Sequence, residues 1–257
     1  MSDIFCKIKD QIAFVTLSNP GKLNALDVAM WLALRDCFNA LSIDEALRCI
    51  IIDGADGNFA AGADIQEFAS VRSNVKDGMF YHNHTVALAL QAISQCRHPI
   101  IAAIEGICVG GGLEIACSCD IRIAAPEARF GIPINRLGFP LAPEELRGLL
   151  ELTGKAVALE ILLEGRVFDA SEAKEKGLLH RISDDVKKEA YASALRIAQG
   201  APIAARINKQ LVRRLTATST TLSEDEAHEV FAFLETEDYR EGVASFLDKR
   251  TPQFIGK

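Results

Sequence analysis

An α/β core followed by an all-helical segment is the fold class this sequence predicts, and three observations predict it. Short apolar runs bounded by turn clusters alternate with helical periodicity up to about residue 183. From Asp185 onward the pattern is helical almost to the end. The chain has 257 residues, 49% of them apolar, which is enough to bury one large core and carry an extension.

The elements follow in order. The first strand reads IAFVTL, Ile12 to Leu17, and stops at the turn cluster Ser18-Asn19-Pro20-Gly21. A helix over 27–41 carries Val28, Leu32, Leu34, Phe38 and Leu41 near a 3.6-residue period. Cys49 to Ile52 is a buried strand that ends at Asp53-Gly54, and the small-residue loop FAAGAD occupies 59–64. A second helix is predicted from Phe80 to Cys96, broken by His98-Pro99 before the buried strand IIAAIEG. Three glycines, 110–112, lead into a short helix from Leu113 to Cys119, and DIRIAA from Asp120 forms another strand. Pro133, Pro140 and Pro143 then separate short pieces. Asp169 and Glu172 have the spacing of a capping box, Gly177 ends that helix, and LLHRI at 178–182 reads as a short strand.

Composition excludes several classes of function. A net charge of −7 argues against a nucleic-acid surface. The densest basic stretch, Arg206 to Arg214, reads as a solvated helix face or a local anion site. Seven cysteines without regular spacing, mostly in apolar runs, suit buried thiols in a reducing cytosol. Cys117 and Cys119, like His82 and His84, stand two apart on predicted helices and face away from each other, so neither pair suits a metal. The N-terminus has no basic-then-apolar signal pattern, and no run reaches the ~18 apolar residues of a membrane span. A soluble cytoplasmic protein is expected.

Two stretches leave the backbone bare. In ICVGGGLEIAC a strand runs through three glycines into a helix start, where free N–H groups point outward with the positive end of the helix dipole. Such a place binds an anion or an oxyanion formed during reaction, although tight helix–strand packing explains glycines equally well. The pattern is neither GxGxxG nor a P-loop. In FAAGAD, Asp64 reads first as a helix N-cap. Together, the two loops can each give one N–H to a single carbonyl oxygen. Glu114, in the first turn after the glycines, either serves the helix start or acts as a general acid or base beside that oxygen.

These residues resemble the crotonase, or enoyl-CoA hydratase/isomerase, family. The resemblance is carried by NPGKLNALD at 19–27, FAAGADI at 59–65 and IEGICVGGGLEIACSCDIRIA at 104–124. RFGIP at 129–133, EILLEGRVFDASEAKEKGLLHRI at 160–182 and DYREGVASFLDKR at 238–250 continue it. It implies a crotonase-like spiral β/α core, residues 1–183, that binds acyl-CoA. It also implies a C-terminal helical trimerisation domain, residues 184–257, that builds trimers often paired into hexamers.

The implied substrate is an acyl-CoA thioester, with coenzyme A as part of the substrate and no other cofactor. The implied oxyanion-hole donors are the N–H groups of Ala63 and Gly111, flanked by Gly110. Lys22, Leu23 and Ala25 match the segment that meets the CoA nucleotide, and Ala61, Asp64 and Ile65 match the adenine-side loop. Phe246 and Lys249 match C-terminal residues that reach CoA, commonly across a subunit boundary. Glu114 matches the first of the family's two catalytic glutamates. Where the second would follow Pro133, this chain has Ile134, and the glycine-rich stretch beyond it has become Pro140-Leu141-Ala142-Pro143-Glu144-Glu145.

The expectation is therefore an acyl-CoA enzyme with Glu114 as acid/base beside an apolar wall, its pKa raised by desolvation, and with slow hydration for want of a second carboxylate. Glu144 and Glu145 are candidates to replace it, although a Pro-Glu-Glu triplet also makes a good helix start. The alternatives are a one-carboxylate decarboxylase, isomerase or thioester hydrolase, or a CoA-binding subunit without turnover.

Overall fold

A computed structural model describes residues 2–217, 223, 225 and 231–257, without the side chains of Ala217 and Phe246. Its centre is a six-stranded sheet in the order β1 (Asp3–Lys9), β2 (Ile12–Ser18), β3 (Cys49–Gly54), β4 (Ile100–Ile104), β6 (Ile121–Ala124), β9 (Arg181–Ile182). All neighbours are parallel except β1 and β2. The edge strand β1 was not expected. Its side chains are almost all exposed, so no buried apolar run announces it, and it is held by a hairpin whose turn residues Asp10 and Gln11 both adopt positive φ.

β4 is buried along its whole length, as parallel strands covered on both faces must be. Alternation decides which layer each residue joins. Ile50 and Ile52 face the cluster holding Trp31, Leu34 and Phe38. Cys49 and Ile51 face a second cluster closed by Val186, Ala190 and Ala194. Those last three belong to α8 (Val186–Ala198), so the first helix of the C-terminal segment covers a face of the core sheet.

On the opposite face α1 (Val28–Ile43) starts where Asp27 accepts the Met30 N–H at 2.8 Å. α1 packs against a continuous helical run made of α3 (Val75–Phe80), a π-turn (Tyr81–Val86) and α4 (Ala87–Gln95). The helix predicted from Phe80 thus begins one turn earlier and contains a π-turn. A short α2 (Phe68–Val71) precedes it. β5 (Ile107–Val109) pairs with β7 (Arg129–Gly131), and β7 with β8 (Phe168–Asp169), in a small second sheet beside the main one. The glycine helix is α5 (Gly111–Cys117), and α6 (Pro143–Glu164) and α7 (Ala170–Glu175) follow. Asp169 caps α7 through the Glu172 N–H, as its spacing predicts.

The basic stretch on α9 (Pro202–Ala217) is not a solvated face. The Lys209 side chain is largely covered, its ammonium 2.6 Å from both Asp120 and the His98 carbonyl, and Arg213 donates to the Cys96 carbonyl. The positive charges dock the helix onto the carbonyl ends of the α4–β4 connection. α10 (Glu237–Leu247) ends the helical segment, and the terminal residues fold back so that Ile255 and Gly256 donate to Asp238.

Candidate active site

The two bare loops meet. Ala60 forms a parallel bridge with Cys108 on one side, and Ala63 forms another with Leu26 on the other. The second bridge takes the Leu26 N–H onto the Gly62 carbonyl at 2.7 Å and the Asp64 N–H onto the Leu26 carbonyl at 2.8 Å. Successive peptides in an extended segment alternate direction, so the Ala63 N–H is left pointing away from Leu26. Gly111 opens α5, and the first N–H groups of a helix have no intrahelical partner. A methyl built on Gly111 would lie 3.6 Å from the Ala63 nitrogen. The backbones of the two loops therefore lie side by side at Ala63 and Gly111.

Two glycines make this approach possible. Gly110 has φ +50°, a left-handed conformation that sets the entry into α5. Gly112 packs so close that an added Cβ would sit 2.3 Å from the Ala60 carbonyl oxygen. Close packing of the two loops therefore accounts for Gly112.

Glu114 follows two residues after Gly112, 7% exposed, with its carboxylate on the same cavity and no hydrogen-bond donor to it among the described residues. Burial pushes this carboxyl well above the usual carboxylate range, and the negative charge of Glu145 adds to the effect. Ala61, Ala63, Ile65, Gly110, Gly111, Pro133 and Ile134 line the cavity with it. Ile134, 8% exposed, does form the apolar wall expected of it.

Glu114 is not the lone carboxylate there, and this corrects the expectation. Glu144 and Glu145 both stand in the first turn of α6, behind Pro143, but they point to different places. Glu144 is on the surface, bidentate to Arg147, which holds it below the usual carboxylate range. Glu145 is buried, lines the cavity, and its Oε1 lies 2.6 Å from His82 Nδ1. A carboxylate oxygen can only accept unless protonated, so an N–H on that imidazole nitrogen would fix both groups. His82 comes from the π-turn, a distortion often found at functional sites.

The other expected residues sit beside the cavity rather than in it. Lys22 holds Asp64 at 2.6 Å and Gln66 at 2.9 Å, and keeps the Asp64 carboxyl low. Asp64 also caps the turn Ile65–Glu67 through the Gln66 N–H, so the simpler reading of it holds. Leu23 is half exposed at φ +49° and takes the Ala61 N–H on its carbonyl, while the Ala25 N–H donates to the Lys22 carbonyl. This bend therefore abuts the FAAGAD loop. Lys249 is exposed beyond α10 and does not line the cavity within one chain. The Phe246 side chain lies outside the described residues. Reasoning from sequence missed Trp31, whose ring packs under Gly111, and Tyr81, Arg72 and Phe139, which complete the walls.

The cavity thus brings the backbone of Ala63 and Gly111 together with two carboxylates of unlike surroundings, Glu114 and Glu145. The chain matches the family model described as enoyl-CoA hydratase/isomerase over residues 7–257, and it belongs to that family. It is 38% identical over 250 residues to a Mycobacterium leprae protein named "Probable enoyl-CoA hydratase echA8", covering 95% of this chain and 94% of the relative. It superposes with a TM-score of 0.95, at 44% identity, on the crystal structure of an enoyl-CoA hydratase/carnithine racemase from Magnetospirillum magneticum, covering 99% of this chain and 96% of that one. The fold is the crotonase fold, and the protein is an acyl-CoA-processing enzyme. Among the described residues no helix is long and apolar enough to cross a membrane.

Proposed function

We propose that this enzyme hydrates, and through the same enolate isomerises, an enoyl-CoA thioester, with Glu114 and Glu145 as its two proton-transfer groups. The observation that supports it is the presence of two carboxylates on one cavity in unequal environments, next to the convergent Ala63 and Gly111 N–H groups. The thioester carbonyl oxygen accepts both N–H groups. Glu145, held by His82, takes a proton from water as that water adds to Cβ. The electron pair moves to the thioester oxygen, where the two donors stabilise the enolate. Glu114, whose protonated form burial favours, then gives its proton to Cα. Proton exchange with solvent returns each carboxylate to its starting state. These steps need no group beyond the chain and the thioester.

The one-carboxylate alternatives were attractive because Ile134 displaces the usual second acid, and Glu145 removes that reason. The test is to follow crotonyl-CoA hydration together with deuterium uptake at Cα of butyryl-CoA. Wild type is expected to do both, Glu145→Gln to lose hydration about 10²-fold while retaining exchange within tenfold, and Glu114→Gln to lose both. Exchange without hydration in wild type would return the enzyme to one-carboxylate chemistry.

We also propose a trimer or a pair of trimers. Val212, Leu215, Tyr239, Val243 and Leu247 on α9 and α10 are exposed apolar residues, and an apolar surface of this kind favours burial against another subunit. Such an assembly would carry Phe246 and Lys249 toward a neighbour's CoA. Light scattering that gives a monomer at micromolar concentration would overturn it.

A further inference from the structure

The acyl cavity contains a cation that the proton chemistry does not use. Arg72 follows α2 and lines the same cavity as Gly111 and Glu114. Its guanidinium lies between two aromatic rings, 4.5 Å from the centre of Phe68 and 4.1 Å from that of Phe139. Its Nη1 is shut off from solvent and has no hydrogen-bond partner, and no described carboxylate forms an ion pair with it. Glu145, the nearby acid of this cavity, is taken by His82.

Stacking alone does not account for this. Ring faces satisfy the flat face of a guanidinium, but its N–H groups point outward in the plane, where a ring offers no acceptor. A buried donor without an acceptor is costly, and a planar fork matches the two oxygens of a carboxylate. The two rings place the guanidinium in the cavity before an anion arrives, which lowers the cost of ordering it on binding.

We infer that Arg72 reads the far end of the acyl chain, and that the preferred substrates are CoA thioesters of dicarboxylic acids, whose free carboxylate meets the guanidinium between Phe68 and Phe139. The inference rests on the acyl-CoA reading proposed above and deepens it by naming the substrate class. Chain length is set by the span from the oxyanion donors to Arg72, with the apolar wall of Ile134 and Leu141 along the way.

The test is calorimetric and needs no turnover. Pentanoyl-, hexanoyl- and octanoyl-CoA are compared with glutaryl-, adipyl- and suberyl-CoA, each pair differing only in a terminal methyl against a carboxylate. For at least one length, wild type is expected to bind the carboxylate member about 10–100-fold more tightly, the range for a charge-assisted hydrogen bond. Arg72→Met, which keeps a long side chain between the rings, should erase that ratio, and Arg72→Lys should keep part of it. Taking the ratio within each variant cancels any general loss of affinity. If wild type binds the members of every pair equally, or prefers the methyl, the inference is overturned while the acyl-CoA reading stands. A carboxylate preference that survives in Arg72→Met also overturns it, because another group would then read the tail. If no thioester binds at all, the acyl-CoA reading falls first.

Discussion

The two walls of the cavity are built on different principles. One is backbone: the loops around Ala63 and Gly111 are locked by bridges to Leu26 and Cys108. The other is side chain: His82, Glu145 and Arg72 arrive from three helical elements separated along the chain. A backbone wall tolerates little change, because shifting a peptide shifts the whole loop. A side-chain wall can be rewritten one residue at a time. Ile134 and Glu145 stand on that wall as an apolar and an acidic side chain of one cavity. Glu144 and Glu145 make the same point in miniature, since adjacent residues on one helix turn reach a surface arginine and a buried histidine.

The comparison can be broken experimentally, beginning where the expected effect is largest. Glu114→Gln, at the seam of the two walls, should reduce crotonyl-CoA hydration by about 10²–10⁴-fold with the fold intact, as read from steady-state kcat and circular dichroism. Retained activity would make Glu114 only a helix-start carboxylate. On the backbone wall, Gly112→Ala places a methyl against the Ala60 carbonyl and should displace the oxyanion donors. A loss of about 10²–10³-fold in kcat is expected, with a lower melting temperature. On the side-chain wall, Ile134→Glu puts a third carboxylate into the cavity. It should destabilise the protein by about 1–3 kcal/mol in urea titration without speeding hydration, because the place of a second acid is already filled. Faster hydration in that variant would mean that Glu145 does not serve.

The smallest effect concerns stability and pH. The folded-state pKa of Glu114 is raised, so between its ordinary and its raised value the folded protein binds more protons than the unfolded one. Stability is then fully present below the ordinary carboxylate range and falls as pH rises toward the raised value. Glu114→Gln should remove this contribution, raising the melting temperature at neutral pH relative to wild type and closing the gap at acidic pH. A constant difference across pH would show that Glu114 does not titrate with the shift assigned to it.

Much of this was legible in the sequence, for local reasons. Buried parallel strands such as IIAAI are continuous apolar runs. Caps such as Asp27 and Asp169 act within three residues. GGG and AAGA expose backbone wherever they fold, so the two loops that meet at the cavity could be singled out before any contact was known. The edge strand β1 was hidden because exposed side chains leave no apolar pattern, and the basic face of α9 misled because its partners, Asp120 and the His98 and Cys96 carbonyls, lie about a hundred positions away. Tertiary structure alone decided the second wall. His82 and Glu145 are 63 positions apart, and nothing in the local pattern of either tells which way a helix will turn it. Backbone chemistry is written in short stretches because only neighbours shape it. Side-chain chemistry between distant helices exists only once packing has fixed how those helices are rotated against each other.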